Sequence, residues 1–255
     1  MNGGNGPSGF SWRGLVLPVL LLALFEALSL AGDGTSEVLA PPSAIALAGV
    51  QAILDGTLFN LTLATLATAL TGLAIGGATG LTLGLAFGLV PVLDWIAKLT
   101  IEAIRPIPSV ALIPIALLIF GFGYRLEIAV VAFATIWPVM IITRDAVKGI
   151  EPMLAEVANV LRLSAFARIT KIVLPATVPA LFVALRLGSG IALIVAVTVE
   201  ISANPIGLGS GMMQAQQSLH PDLMLALLVW IGILGFTLNV ALLHVERRFF
   251  ARMRP

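Results

Sequence analysis

Residues 151–184 read EPMLAEVANVLRLSAFARITKIVLPATVPALFVA, the one long polar interval in an otherwise oily chain. Between Lys148 and Arg186 it carries Glu151, Glu156, Arg162, Arg168 and Lys171, while Leu154, Val157, Val160 and Leu161 recur at helical spacing. That pattern predicts a short amphipathic helix. A second short helix is expected to begin near Ala165, after a break at Ser164, and to be stopped by Pro175. Two short helices bent against each other between apolar spans make a knob that projects from a bilayer into water.

The rest of the chain explains why such a knob stands out. Of 255 residues, 59% are hydrophobic and 11% charged, and the mean hydropathy is +1.07. A soluble fold of this size cannot bury that much apolar surface, so the sequence describes an all-α integral membrane protein. With no cysteine, disulfides, thiol nucleophiles and thiolate metal sites are excluded.

Residues 1–12 are rich in Gly, Ser and Asn and predict a flexible tail. Residues 13–255 form a single transmembrane domain, with spans expected at about 14–31, 57–89, 106–123, 126–146, 179–201 and 223–244. Glu26 interrupts the first span near its outer end. Ser43 is expected to cap a helix over 43–55, too short to span and lying along the outer surface. From Thr57 to Val92 no residue is charged, and Gly72, Gly76, Gly80, Gly84 and Gly88 repeat every fourth position. This strips one helix face and invites close approach by a neighbour. The stretch from Asp94 to Arg105 is polar enough for the inner surface. Pro106, Pro108 and Pro114 then break the third span, and irregular backbone at membrane depth persists only beside protein or a wet cavity. Arg105, Pro106 and Pro108 are therefore pathway candidates, as are Arg186, Ser189 and Glu200 around the small-residue stretch Gly188–Gly190 of the fifth span.

Six spans put both termini and the polar interval on one side, and of the 14 Lys and Arg only Arg125 falls on the other. By the positive-inside rule that side is the cytoplasm. The basic residues from Arg247 to Arg254 suit contact with anionic lipid.

No G-x-x-x-x-G-K-[ST] phosphate loop is present, so the chain has no P-loop means of hydrolysing ATP and is not expected to be an enzyme. His220 and His244 stand alone, without metal-ligand spacing, so neither a metal nor a cofactor is expected in this chain. No esterase or metalloprotease motif appears, and no intramembrane carboxylate pair is expected.

The segment 156–175, EVANVLRLSAFARITKIVLP, resembles the EAA loop of ABC-importer permeases: E-A-A, three residues, G, nine residues, I-x-L-P. Glu156, Ala158, Ile172, Leu174 and Pro175 hold the motif's positions, while Arg162 replaces its glycine. The resemblance extends to IRPIPSVALIPIALLIFGFG (104–123) and RLGSGIALIVAVTVE (186–200), in the pattern of the nitrate, sulfonate and taurine importer permeases. It implies the type I (MetI-like) six-helix permease fold, with loop 149–175 carrying the coupling helix that contacts a separate ATPase through Glu156, Val157, Ala158, Arg162, Ser164, Ile172, Leu174 and Pro175. It further implies a homodimer in the bacterial inner membrane, two cytoplasmic ATPase subunits that bind ATP and Mg, and an extracytoplasmic solute-binding protein, with no nucleic acid involved. Imported solutes across such permeases are small and polar, nitrate, sulfonates and taurine among them. In the homodimer, the broken segment and the Gly188–Gly190 stretch would surround a central cavity, with Arg186 towards the cytoplasm and Glu200 at the outer mouth. The alternative is a gradient-driven secondary transporter or channel, which predicts ion-coordinating groups at mid-membrane and two matched halves.

Overall fold

A computed structural model describes residues 13–31 and 40–251. The expected tail over 1–12, Ser36, Arg252 and Arg254 lie outside them. Every element among the described residues is helical. Helix α1, Arg13–Ala31, is apolar around Glu26. Helix α2, Pro42–Leu54, starts one residue before the expected cap: Pro41 occupies the N-cap position and makes no side-chain bond. Glu26 supplies the missing acceptors, its carboxylate receiving the Ser43 backbone N–H at 3.1 Å and the Ser43 hydroxyl at 2.6 Å. The acid in the first span is thus the cap of the next helix, where negative charge meets unpaired N–H groups.

Asp55 and Gly56 end α2 as expected. Gly56 takes φ +80°, and Asp55 accepts the Thr57 N–H at 2.8 Å, launching helix α3, Thr57–Leu89, of 33 residues. At about 1.5 Å per residue it exceeds the roughly 30 Å hydrocarbon core. Its glycine row faces helix α6, Tyr124–Lys148. A Cβ added at Gly72 or Gly88 would lie 2.6 Å from Val131 or Val147, and one at Gly80 or Gly84 would lie 2.6 Å from the carbonyl of Ile136 or Met140. The two helices pack backbone to backbone, as small-residue faces allow.

Between them, helix α4, Pro91–Ile104, is followed by a 3₁₀ turn, Ser109–Leu112, and helix α5, Ile113–Phe120. The α4 axis and this second limb bend by 82°. Pro114 sits in the first turn of α5, where its missing N–H costs no bond, so it starts that helix; the break lies at 105–108. Among the described residues four helices are long and apolar enough to cross a membrane, and a fifth crossing is available if the bent pair counts as one. The expected third span is therefore a pair of short limbs.

After α6, with Pro138 inside it, come α7, Pro152–Val160, and α8, Ala165–Arg168. Pro175 does not end the second of these. A π-helical turn, Ile169–Val173, leads straight into α9, Leu174–Ser202. Proline in the first turn after a π-bulge meets a ladder already widened there, so its absent N–H is tolerated. The fifth span accordingly begins before the expected 179. Helix α10, Leu208–Gln217, had no counterpart in the sequence reading, and α11, Pro221–Ala251, runs past the expected end at 244 into the basic tail. The main core lies between α3, α5, α6 and α9, around Leu73, Leu126, Val131, Ala196 and Val199. A second cluster joins α2, α3, α10 and α11 around Ala52, Leu58, Leu208 and Leu227, and the Trp230 indole N–H donates to Thr62 Oγ1 at 2.8 Å across it.

Candidate functional site

Helix α7 presents Glu156 to solvent, ringed by exposed apolar side chains: Met153 is 69% exposed, Val160 82% and Phe166 77%. Val157 and Leu161 are exposed as well. Exposed apolar side chains around an exposed acid make this an amphipathic surface rather than a uniformly polar loop. Ala158 differs from the expectation: it is 2% exposed and buried within the chain itself, so its small size serves the loop's own packing.

The turn stays at the position where the motif has glycine. Arg162 takes φ +46°, and the Leu163 N–H bonds to the Ala158 carbonyl at 3.0 Å. This six-to-one closure is a Schellman helix end with Arg162 as its left-handed residue. Ser164 then caps α8, accepting the Ala167 N–H at 3.2 Å. Ile172 and the buried Val173 seat the knob on the ends of α3 and α6, around a recess of about 150 Å³ that also touches Gly88, Val147 and Arg168. Leu174 is half-buried and Pro175 exposed.

An ion cluster lies beside this seat. Asp94 of α4 accepts the guanidinium of Arg144 on both oxygens, the second at 2.9 Å, and the Lys148 ammonium at 2.5 Å. These bonds hold the Asp94 carboxyl well below its ordinary range, at about 2. The bidentate geometry fixes α4 against the end of α6.

The pathway candidates divide. Arg105 stands where two cavities meet. One, of about 370 Å³, is lined by Ser109, Phe133, Trp137, Leu187 and Ile191; the other, of about 410 Å³, by Lys98, Glu102, Pro106 and Arg144. Among the described residues Arg105 makes no ion pair. Pro106 lines the second cavity, whereas Pro108, the extended residue leading into the 3₁₀ turn, lines neither. On α9 it is Leu187 and Ile191 that line it, whereas Ser189 is 3% exposed and its hydroxyl donates to the Arg186 carbonyl at 2.8 Å. Gly188 faces Leu73, and Arg186 is exposed.

Glu200 lines a cavity of about 320 Å³ at the end of α9 but is itself buried. It is 2% exposed and lies within hydrogen-bonding reach of Glu127, which is fully buried. The expectation of no paired carboxylates therefore fails at this end of the bundle, where two buried carboxyls meet. The two acids are 73 positions apart, on opposite sides of the polar loop, and only the packing of α6 on α9 brings them together.

Comparison with known proteins places this architecture. Residues 76–254 match the family model described as binding-protein-dependent transport system inner membrane component. A Bacillus subtilis protein described as an aliphatic sulfonates transport permease is 28% identical over 240 residues, covering 94% of this chain and 87% of its own. The taurine transport system permease of Escherichia coli is 29% identical over 204 residues, covering 80% and 74%. The bicarbonate transport system permease of Synechococcus elongatus is 31% identical over 202 residues, covering 78% and 72%. With four to five apolar crossings among the described residues and a sharply bent helix pair beside them, the chain belongs to the binding-protein-dependent inner membrane component family and is the multi-pass permease subunit of an ABC importer.

Proposed function

We propose that this permease imports a small anionic solute through the cleft at Arg105, as a homodimer driven by two cytoplasmic ATPase subunits that bind ATP and Mg and dock on α7. An extracytoplasmic binding protein delivers the solute, and both termini lie in the cytoplasm. The carrying observation is Arg105 itself, a guanidinium at the junction of two cavities beside the broken α4–α5 segment. A fixed positive charge in a low-dielectric cleft selects anions by Coulomb attraction. The relatives point the same way, since sulfonates, taurine and bicarbonate all carry a compact oxyanion group. Ser109, on the wall of the same cavity, offers a hydroxyl donor to such a group. The exposed Glu156 in its apolar rim is the contact through which nucleotide-driven motion reaches α9, because α7 is joined by the Arg162 turn to α8, which runs through the π turn into α9.

The test is uptake of labelled bicarbonate, nitrate, taurine and an alkanesulfonate by vesicles holding the whole complex. Arg105→Ala is expected to co-purify with the ATPase and yet lose at least tenfold in uptake, whereas Glu156→Lys is expected to lose the ATPase. Undiminished anion uptake by Arg105→Ala would remove the arginine from the route, and wild-type assembly of Glu156→Lys would remove α7 from the coupling contact.

A further inference from the structure

The outer end of the bundle holds a buried polar cluster that transport does not explain. Glu127 Oε1 accepts the Thr68 hydroxyl, and Oε2 accepts the Asn204 amide at 2.5 Å. Glu200 Oε2 accepts the backbone N–H of Gly209 at 2.8 Å. Thr65 Oγ1 accepts the N–H of Leu208 at 2.9 Å, and its own hydrogen goes to the Leu61 carbonyl. The cluster thus clasps α3, α6, the end of α9 and the start of α10. Gly207 closes it from above at φ +124°, where an added Cβ would stand 2.1 Å from Glu200 Oε1.

Two acceptors in it have no donor: Glu200 Oε1 and Asn204 Oδ1, on side chains of 2% and 1% exposure. No basic group compensates. Thr65 and Thr68 from α3 and Gly209 and Ser210 from α10 are uncharged. Tyr124 and Arg125 on α6, and His220 and Asp222 beside α11, make no side-chain bond or ion pair to either carboxyl among the described residues. Two carboxylates in contact, both buried and one with an oxygen that no donor reaches, are electrostatically untenable without a bound positive species. A metal ion does not fit. Three of the four carboxyl oxygens are already taken, and the two remaining acceptors fall far short of the six or so oxygens that a hard cation gathers. A proton needs one donor and one acceptor.

We propose that Glu127 and Glu200 form a proton-binding site, loaded from the extracytoplasmic side, that latches the α9–α10 connection. The proton bonds to Glu200 Oε1, and the new hydroxyl donates to the Glu127 carboxylate, so the pair carries one negative charge instead of two. Glu200 and Asn204 also form the floor of an outer cavity of about 320 Å³ with Phe122, Ser210, Met213 and Gln214, which gives the proton its route. Loss of the proton restores two facing charges and loosens the clasp on α10.

Two readouts on the purified permease–ATPase complex test this, and neither uses a solute, so their failure leaves the transport reading untouched. The first is the infrared carbonyl band of a protonated carboxyl, followed from the acid to the alkaline side of neutrality. Wild type is expected to lose such a band as pH rises, and the band is expected to be missing in Glu200→Gln. The second is the maleimide labelling rate of Gln214→Cys divided by that of Ser218→Cys, which cancels the thiol's own ionisation. The ratio is expected to rise at least threefold with pH in the otherwise native chain and to stay flat once Glu200→Gln or Glu127→Gln is added. A wild-type band that is absent throughout, or that persists throughout, overturns the proposal, as does a ratio that ignores pH.

Discussion

At the scale of single residues, Arg162 carries the clearest energetic signature. A charged side chain whose Cβ is held at φ +46° pays for a backbone region that glycine enters freely, at about 1 kcal/mol. Arg162→Gly keeps the six-to-one bond from Leu163 to Ala158 and removes that strain, though glycine's freer unfolded chain returns part of the gain. Backbone amides of α7 are therefore expected to exchange with deuterium up to about fivefold more slowly in the variant. Unchanged or faster exchange would mean that Arg162 earns its place through contacts of its own. The position of this turn was not legible in the sequence, because the motif's spacing survives while the glycine that would mark the turn does not. The Glu127–Glu200 pair was not legible either: each acid sits at a helix end where an exposed side chain is the ordinary expectation, and nothing local signals a partner 73 positions away. The one sequence hint is the Gly207 and Gly209 spacing, which lets backbone approach the Glu200 carboxyl. Glu26 shows the same limit, since its role as the cap of α2 depends on Pro41 and Pro42 starting that helix without a side-chain cap.

At the scale of elements, the glycine face of α3 was readable, whereas its partner α6 and the polar loop's exit were not. A glycine every fourth residue can only mark one helix face, and the face found it faces α6 at backbone contact. Pro175 misled because proline stops a regular helix, whereas the preceding turn is π-helical and has room for it. Helix α10 escaped notice because LGSGMMQAQQ is rich in glycine and polar residues and is held by its bonds to Thr65 and Glu200 rather than by helical propensity. The glycine row supports a sharp comparison. Alanine at Gly80 would place a methyl 2.6 Å from the Ile136 carbonyl and 3.0 Å from Val139, whereas at Gly232 on α11 it would meet nothing within 4 Å. Overpacking a close helix contact costs about 1–3 kcal/mol, while relief of helical glycine is mildly favourable. Gly80→Ala is expected to lower the thermal midpoint in detergent and Gly232→Ala to leave it level or raise it; equal midpoints would show that α3 and α6 can separate freely.

At the scale of the whole molecule, helix α6 is a ruler across the membrane. Glu127 and Arg144 lie on it 17 positions apart, about 26 Å at the helical rise, close to the roughly 30 Å hydrocarbon thickness. The acid pair therefore marks one interface and the Asp94–Arg144–Lys148 cluster the other. Loop 149–175 emerges on the side of the ion cluster, and the α10–α11 turn at Leu219 emerges on the side of the acids. In the proposed orientation the first side, which carries the basic residues of the loop and of the α11 end, is the cytoplasm. Since the chain has no cysteine, single thiols can be placed without background. Ser164, exposed at the cap of α8, and Ser218, exposed at the end of α10, are on opposite sides by this measure. A membrane-impermeant maleimide added to intact cells is expected to label Ser218→Cys and to spare Ser164→Cys until the membrane is permeabilised. Labelling of Ser164→Cys from outside would invert the orientation. It would also turn the Glu127–Glu200 site towards the cytoplasm, so that the proton would have to arrive from within.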